Sequence, residues 1–201
     1  MRKLVFIIAA FAFISMSSNA QVKKTKKAVK AVKVEEMFDK NTQLIHVGVG
    51  INGTAMPIEL SYEKGIKDDL FGVKGLNLGV GGYFNYFGSS TTNSYSSYVN
   101  GSVVNTSYTW SYTNIVLGGR ALAHYKFIDK LDTYAGVMLG YDIFGAKLSP
   151  ENSLIPATGA SFIFYGGVAG IRYEFSPKFG VYLEGGSASV SNASIGIAYK
   201  F

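Results

Sequence analysis

Cysteine is missing altogether, so this chain has no disulfide scaffold, thiolate metal site or cysteine nucleophile. Proline is scarce, at 4 of 201 residues, which excludes collagen-like and proline-rich architectures. Charge is sparse as well: 16% of residues against a usual quarter, with no charged side chain between Gly75 and Gly119. Histidine occurs twice, at His46 and His124, and no glycine-rich phosphate loop, serine nucleophile elbow or paired metal-ligand spacing accompanies it. No catalytic, cofactor-binding or metal residue is therefore assigned, and no enzymatic activity is expected. What the chain does have is glycine, 24 residues of it, and 14% aromatics, a composition that fits neither disorder nor a charge-laced helical bundle. The length suits one folding unit with short appendages.

The N-terminus carries two basic residues, Arg2 and Lys3, then an apolar run over 4–14 and a polar stretch ending at Ala20. That order is the pattern of a secretory signal peptide, with small residues at Ser18 and Ala20 placed for cleavage. The run is too short to cross a hydrocarbon core of about 30 Å. Residues 1–20 are read as a signal peptide and 21–43 as a basic periplasmic tail. The tail holds seven lysines up to Lys40 against Glu35, Glu36 and Asp39, whereas residues 41–201 balance ten basic against ten acidic groups. Such a Lys/Ala/Val stretch is a solvated linker or a segment drawn to anionic headgroups or another polyanion. Nucleic acid is not an expected partner of an exported chain.

From residue 44 onward apolar residues recur with period two, the signature of strands with one polar and one apolar face. Eight segments follow, over 44–52, 56–64, 76–87, 112–127, 131–144, 162–175, 179–186 and 193–201. Short turns alternate with long Ser/Thr/Asn/Gly-rich connections at 88–111 and 145–161, as in an up-and-down barrel with two unlike ends. One parity collects Glu59, Glu63, Arg120, Lys126, Asp132, Asp142, Arg172, Glu174, Glu184 and Lys200, with both histidines, on a single face. Only Lys64, at a strand end, falls on the apolar side.

Alternation alone leaves open which face is inside. Three features put the charged face in the lumen. A soluble surface needs roughly a quarter or more charged residues, and 75–119 has none. Most strand glycines lie on the charged face, where a missing side chain makes room in a crowded interior. Aromatics such as Tyr62, Tyr125, Phe127, Tyr173, Phe175 and Phe179 gather at the ends of the apolar faces, as interfacial girdles do. The expected fold is all-β: an eight-stranded antiparallel up-and-down transmembrane β-barrel over 44–201. Arg172 is expected to meet Glu184 on the diagonal, and Lys126 to lie near Asp132 across the preceding inner turn.

The ending Ser194-Ile-Gly196-Ile-Ala-Tyr199-Lys-Phe201 resembles the C-terminal insertion signal of outer-membrane barrels, with Gly196, Tyr199 and Phe201 carrying the likeness. Together with Pro57-Ile-Glu-Leu-Ser-Tyr-Glu-Lys-Gly65 and Asp129-Lys-Leu-Asp-Thr-Tyr-Ala-Gly136, it makes the region from residue 44 resemble the small, porin-family-like outer-membrane β-barrel domain family, in its Bacteroidota-type branch. The resemblance implies the outer membrane of a Gram-negative bacterium, membrane lipid as surroundings, and the barrel-assembly machinery as a partner during biogenesis. A monomer without cofactor is expected.

Asn100-Gly101 between strand-like residues is a strong two-residue hairpin signal. It sets a register in which paired positions sum to 201, so that Leu76 meets Tyr125 and Asn85 meets Val116. Arms of about 24 residues at ~3.3 Å each, tilted ~45°, rise roughly 55 Å against an apolar band of about 25 Å. The projecting part carries Tyr95, Tyr98, Tyr108, Trp110 and Tyr112 among Ser, Thr and Asn, a recognition-like composition or an uncharged surface loop without a dedicated partner. The expected role is structural or surface recognition above a side-chain-filled lumen, with a narrow passive pore as the alternative and a barrel hydrolase as a distant one.

Overall fold

The computed structural model describes residues 37–51, 56–149, 158–186 and 191–201. The signal-peptide reading, and the tail reading as far as residue 36, lie outside them. Eight strands follow one another: β1 (Gln43–Ile51), β2 (Ile58–Lys67), β3 (Leu76–Val99), β4 (Ser102–Ile128), β5 (Leu131–Ser149), β6 (Thr158–Glu174), β7 (Phe179–Gly186) and β8 (Ala193–Lys200). Each pairs antiparallel with its sequence neighbour, and β1 pairs with β8, which closes the barrel. Closure leaves no sheet edge around the ring and satisfies the ladder groups internally, which is the condition for strands to cross lipid.

The register at the long hairpin is the one that Asn100-Gly101 dictates, with Leu76 opposite Tyr125 and Asn85 opposite Val116. Both turn residues have positive φ, 52° at Asn100 and 81° at Gly101, as a two-residue turn matched to strand twist requires. At the opposite end, the Asp129-Lys130 turn is as tight, with Lys130 at φ 66° and a register shift between Lys126 and Ile128 beside it.

Strand lengths divide the molecule. β1, β2, β7 and β8 have 8 to 10 residues, close to the 9–11 that a tilted strand needs to span a bilayer. β3 and β4 have 24 and 27, and β5 has 19. The ladder therefore runs on through the Ser/Thr-rich connection at 88–111, and β2 accompanies β3 only as far as Tyr86.

The outward face is apolar at mid-height: Val47, Leu60, Leu117, Val137, Leu139, Ile195 and Ile197 are all exposed. The charged parity is inside, where Glu63, His124, Asp132 and Arg172 are among the most deeply buried side chains. This inverts a soluble protein.

The described end of the segment read as a solvated tail behaves otherwise. Met37 and Phe38 are buried, with the Phe38 ring stacked on His124 at 3.8 Å between centroids. Asn77 Nδ2 donates to the Phe38 carbonyl at 2.5 Å, and Lys200 Nζ to the Met37 carbonyl at 3.4 Å. The backbone then turns at 39–42, where the Thr42 N–H reaches the Asp39 carbonyl and the Gly65 N–H reaches the Thr42 carbonyl. The reason is local composition: Met37-Phe38 interrupts the lysine run with two apolar side chains that gain by leaving water.

Candidate functional site

The lumen is the first candidate. Its lower half, on the side of the tail and the short turns, is an ionic network. Arg120 on β4 reaches Glu184 on β7 at 3.2 Å and Glu63 on β2 at 3.5 Å. His124 has Glu63 at 2.6 Å on Nε2 and Asp132 at 2.8 Å on Nδ1. The ring thus bridges carboxylates from two strands, Glu63 on β2 and Asp132 on β5. Arg172 lies 3.0 Å from Asp132 and 3.4 Å from Glu174, and Glu174 lies 3.0 Å from Lys200 at the mouth. His46 works differently. Its Nδ1 faces Arg120 Nη2 at 3.0 Å, and arginine can only donate, so this nitrogen accepts. Its other nitrogen has no hydrogen-bond partner among the described residues, and its ring meets Tyr182 edge-on at 4.9 Å.

The upper half is built from neutral donors and apolar side chains. Glu59 Oε1 accepts from Tyr83 at 2.9 Å, Asn85 at 3.1 Å and Ser191 at 2.5 Å. Asp142 accepts from Asn114 at 2.7 Å. Tyr83, Val116, Met138 and Phe164 form one buried cluster there, whereas Leu122, Tyr134 and Val168 form another lower down, level with Arg120 and His124. A void of about 20 Å³ between Glu59 and Glu184 has room for about one water. Glycines admit the large rings: a Cβ on Gly170 would lie 2.5 Å from the Tyr134 ring, and one on Gly48 would strike the Tyr182 hydroxyl.

Two expected pairs are corrected. Arg172 stands opposite Tyr182, as the short turn requires, but turns toward β5 and bonds Asp132, its direct cross-strand neighbour. Glu184 is taken by Arg120 and by the Tyr134 hydroxyl at 3.1 Å. Lys126 is in register with Asp132 yet pairs with Asp129 at 3.0 Å, because its long chain reaches water at the rim while Asp132 is held inside by His124 and Arg172. Sequence reasoning missed Tyr134 and Phe38 as members of the network. Parity had marked Tyr134, and the apolar interruption at Met37-Phe38 was the available sign of the second.

At the C-terminus, the Tyr199 ring lies 5.0 Å from Phe179 and 6.0 Å from Phe201, so the terminal aromatics join the lower girdle, while Gly196 sits opposite Gly48.

The projecting ribbon is the second candidate. Tyr95, Tyr108, Trp110 and Tyr112 share the face that continues the lumen side, with centroids 6.2 Å apart for Tyr95 and Tyr108 and 6.3 Å for Trp110 and Tyr112. Tyr112 in turn meets Phe144 at 6.2 Å. Tyr98 is on the other face, exposed near the tip. That face carries a hydroxyl and amide ladder: Thr92 to Thr109 at 2.8 Å, Ser94 to Ser107 at 2.8 Å and Ser96 to Asn105 at 2.6 Å.

No protein-family model and no curated protein sequence matches the chain. Among solved structures, a major outer membrane protein from Thermus thermophilus is 16% identical, with 80% of this chain and 99% of that one covered at a TM-score of 0.50. Ail, the attachment invasion locus protein of Yersinia pestis, is 13% identical over 80% of this chain and 96% of its own, at 0.47. Neisserial surface protein A is 16% identical over 80% and 94%, at 0.40. At these identities the likeness is one of fold, and these neighbours are outer-membrane β-barrel proteins.

Proposed function

We propose that the chain is an integral outer-membrane protein of a Gram-negative bacterium, exported through a cleaved signal peptide, in which a filled barrel holds up a surface-recognition ribbon. The observation that carries this reading is the exterior: an exposed apolar band with charges turned inward, from which β3 and β4 continue well past the neighbouring strands. Such a surface is stable in lipid and aggregates in water. The terminal aromatics suit insertion by the barrel-assembly machinery, and the sequence resemblance to the Bacteroidota-type branch points the same way. The ribbon is uncharged and offers rings on one face and hydroxyls on the other, which supplies rigid amphipathic contacts beside adaptable hydrogen bonds. Ion pairs in the lower lumen and packed side chains above them fill the described interior, which suits a mount better than a conduit.

The absence of cysteine gives a direct test. Single variants Ser96→Cys and Lys130→Cys are expressed and treated on intact cells with a membrane-impermeant maleimide. Ser96→Cys is expected to react at once and Lys130→Cys only after lysis. The opposite order inverts the topology, and recovery of the protein in the soluble fraction overturns the membrane reading.

A further inference from the structure

The two ends of the barrel differ in charge in a way that the recognition reading does not use. At the outer end, Lys147 is the one exposed charged side chain among the described residues. At the inner end, Lys64, Lys67, Lys74, Lys130 and Lys178 are all exposed, spread over the end of β2 and the three inner turns. None of the five forms an ion pair with another described residue, since the salt bridges of this end involve Lys40, Lys126, Lys200 and Arg172 instead. The acids nearby are partly occupied by the turns themselves. Asp69 Oδ1 accepts the Gly75 N–H at 2.7 Å, and Asp39 Oδ1 accepts the Asn41 N–H and the Thr42 hydroxyl.

Beside these lysines sit exposed apolar side chains. Phe71 and Val73 precede Lys74 in one turn, Phe127 and Ile128 precede Lys130, and Phe175 and Phe179 flank Lys178. Phe71 is 87% exposed and Phe127 71%. A soluble polyanion or a sugar polymer leaves such rings in water. A lipid interface takes both parts at once, with rings among the upper acyl chains and ammonium groups at the phosphates.

We infer that the inner rim is a binding surface for anionic phospholipid headgroups, in which these five exposed lysines ring the barrel just beyond its lower aromatic girdle. This rests on the membrane-barrel reading above and adds a lipid class and a side to it. Fixed cations on one rim also pin the barrel's depth, because moving the rim into the hydrocarbon would strip the lysines of their phosphates.

The test uses the full chain refolded into phosphatidylcholine vesicles carrying traces of spin-labelled phosphatidylglycerol or spin-labelled phosphatidylcholine. The motionally restricted fraction gives the preference of the protein surface for each lipid. The wild type is expected to prefer phosphatidylglycerol by roughly twofold or more. The preference should collapse in 0.5 M sodium chloride, where the Debye length is about 4 Å. The variant with Lys64, Lys67, Lys74, Lys130 and Lys178 all changed to Gln should fold, because these side chains hold no ion-pair partner among the described residues, and should show no preference. A wild type that folds into the vesicles without preference overturns the inference and leaves the barrel reading intact, whereas failure to enter vesicles at all counts against the barrel reading. A preference that survives the change of all five places the attraction in other cations of the chain and overturns these lysines as its seat. Tight binding of inositol hexaphosphate by the folded protein in neutral detergent, without lipid preference, would assign the surface to a soluble polyanion instead.

Discussion

The same two strands, β3 and β4, build the lower lumen wall and the projecting ribbon, with one unbroken register and one alternation. Below, the lumen-side positions are Asn77, Arg120 and His124, all buried. Above, the same parity carries Tyr95, Tyr108 and Trp110, and Tyr95 is exposed. The difference is what stands opposite. In the ring, six other strands close the space, so a polar side chain must find a partner there or carry the cost of lost solvation. In the ribbon, among the described residues, no far wall stands beyond the end of β5, so the inner face is a surface, and rings stack along it without enclosure. A period-two pattern thus states which residues share a face, and closure decides whether that face is an interior.

That comparison can be broken most severely inside. Arg120→Met removes the cation shared by Glu63 and Glu184 and is expected to cost about 3–5 kcal/mol where water is excluded, read by urea titration of the folded protein in vesicles. Adding Glu184→Gln should recover part of this. Arg172→Met with Glu184→Gln should recover less, since these two form no ion pair among the described residues, and a recovery as large as that with Arg120→Met would restore the diagonal pair that the geometry replaces.

Phe38→Ala asks whether the buried tail end belongs to the interior. Loss of the ring on His124 should lower stability by about 1.5–3 kcal/mol, and an unchanged titration would return residues 37–42 to the solvated tail. Gly170→Ala sets a methyl group against the Tyr134 ring and is expected to cost about 1–3 kcal/mol, with a smaller penalty in the background of Tyr134→Phe if the hydroxyl is the point of collision. The smallest effect belongs to the ribbon. Replacing residues 94–107 by Asn-Gly keeps Asn93 opposite Tyr108 and should change barrel stability by less than about 1 kcal/mol, because no enclosed packing is lost. A variant that no longer folds would make the ribbon part of the barrel's structural core.

Much of this was legible in the sequence because strand parity is a local property. Residues two apart share a face whatever the rest of the chain does, so the inward set from Glu59 to Lys200 and the outward set from Val47 to Ile197 follow from spacing, and Asn100-Gly101 sets the longest register by turn geometry alone. The length and emptiness of charge of the ribbon were equally local. Pairing inside the lumen was not. Arg172 has Asp132 on one neighbouring strand and Glu184 near it on the other, and the choice depends on Arg120 arriving from β4 to take Glu184. The burial of Phe38 depends on His124 and Asn77, some forty to ninety residues away, offering a ring and an amide at the mouth. Sequence by itself determined the strands, their faces and the hairpin. Which charges meet, and that the tail's end is buried against them, was decided only when eight strands shared one narrow interior, where each side chain's position is set by the others that compete for the same space.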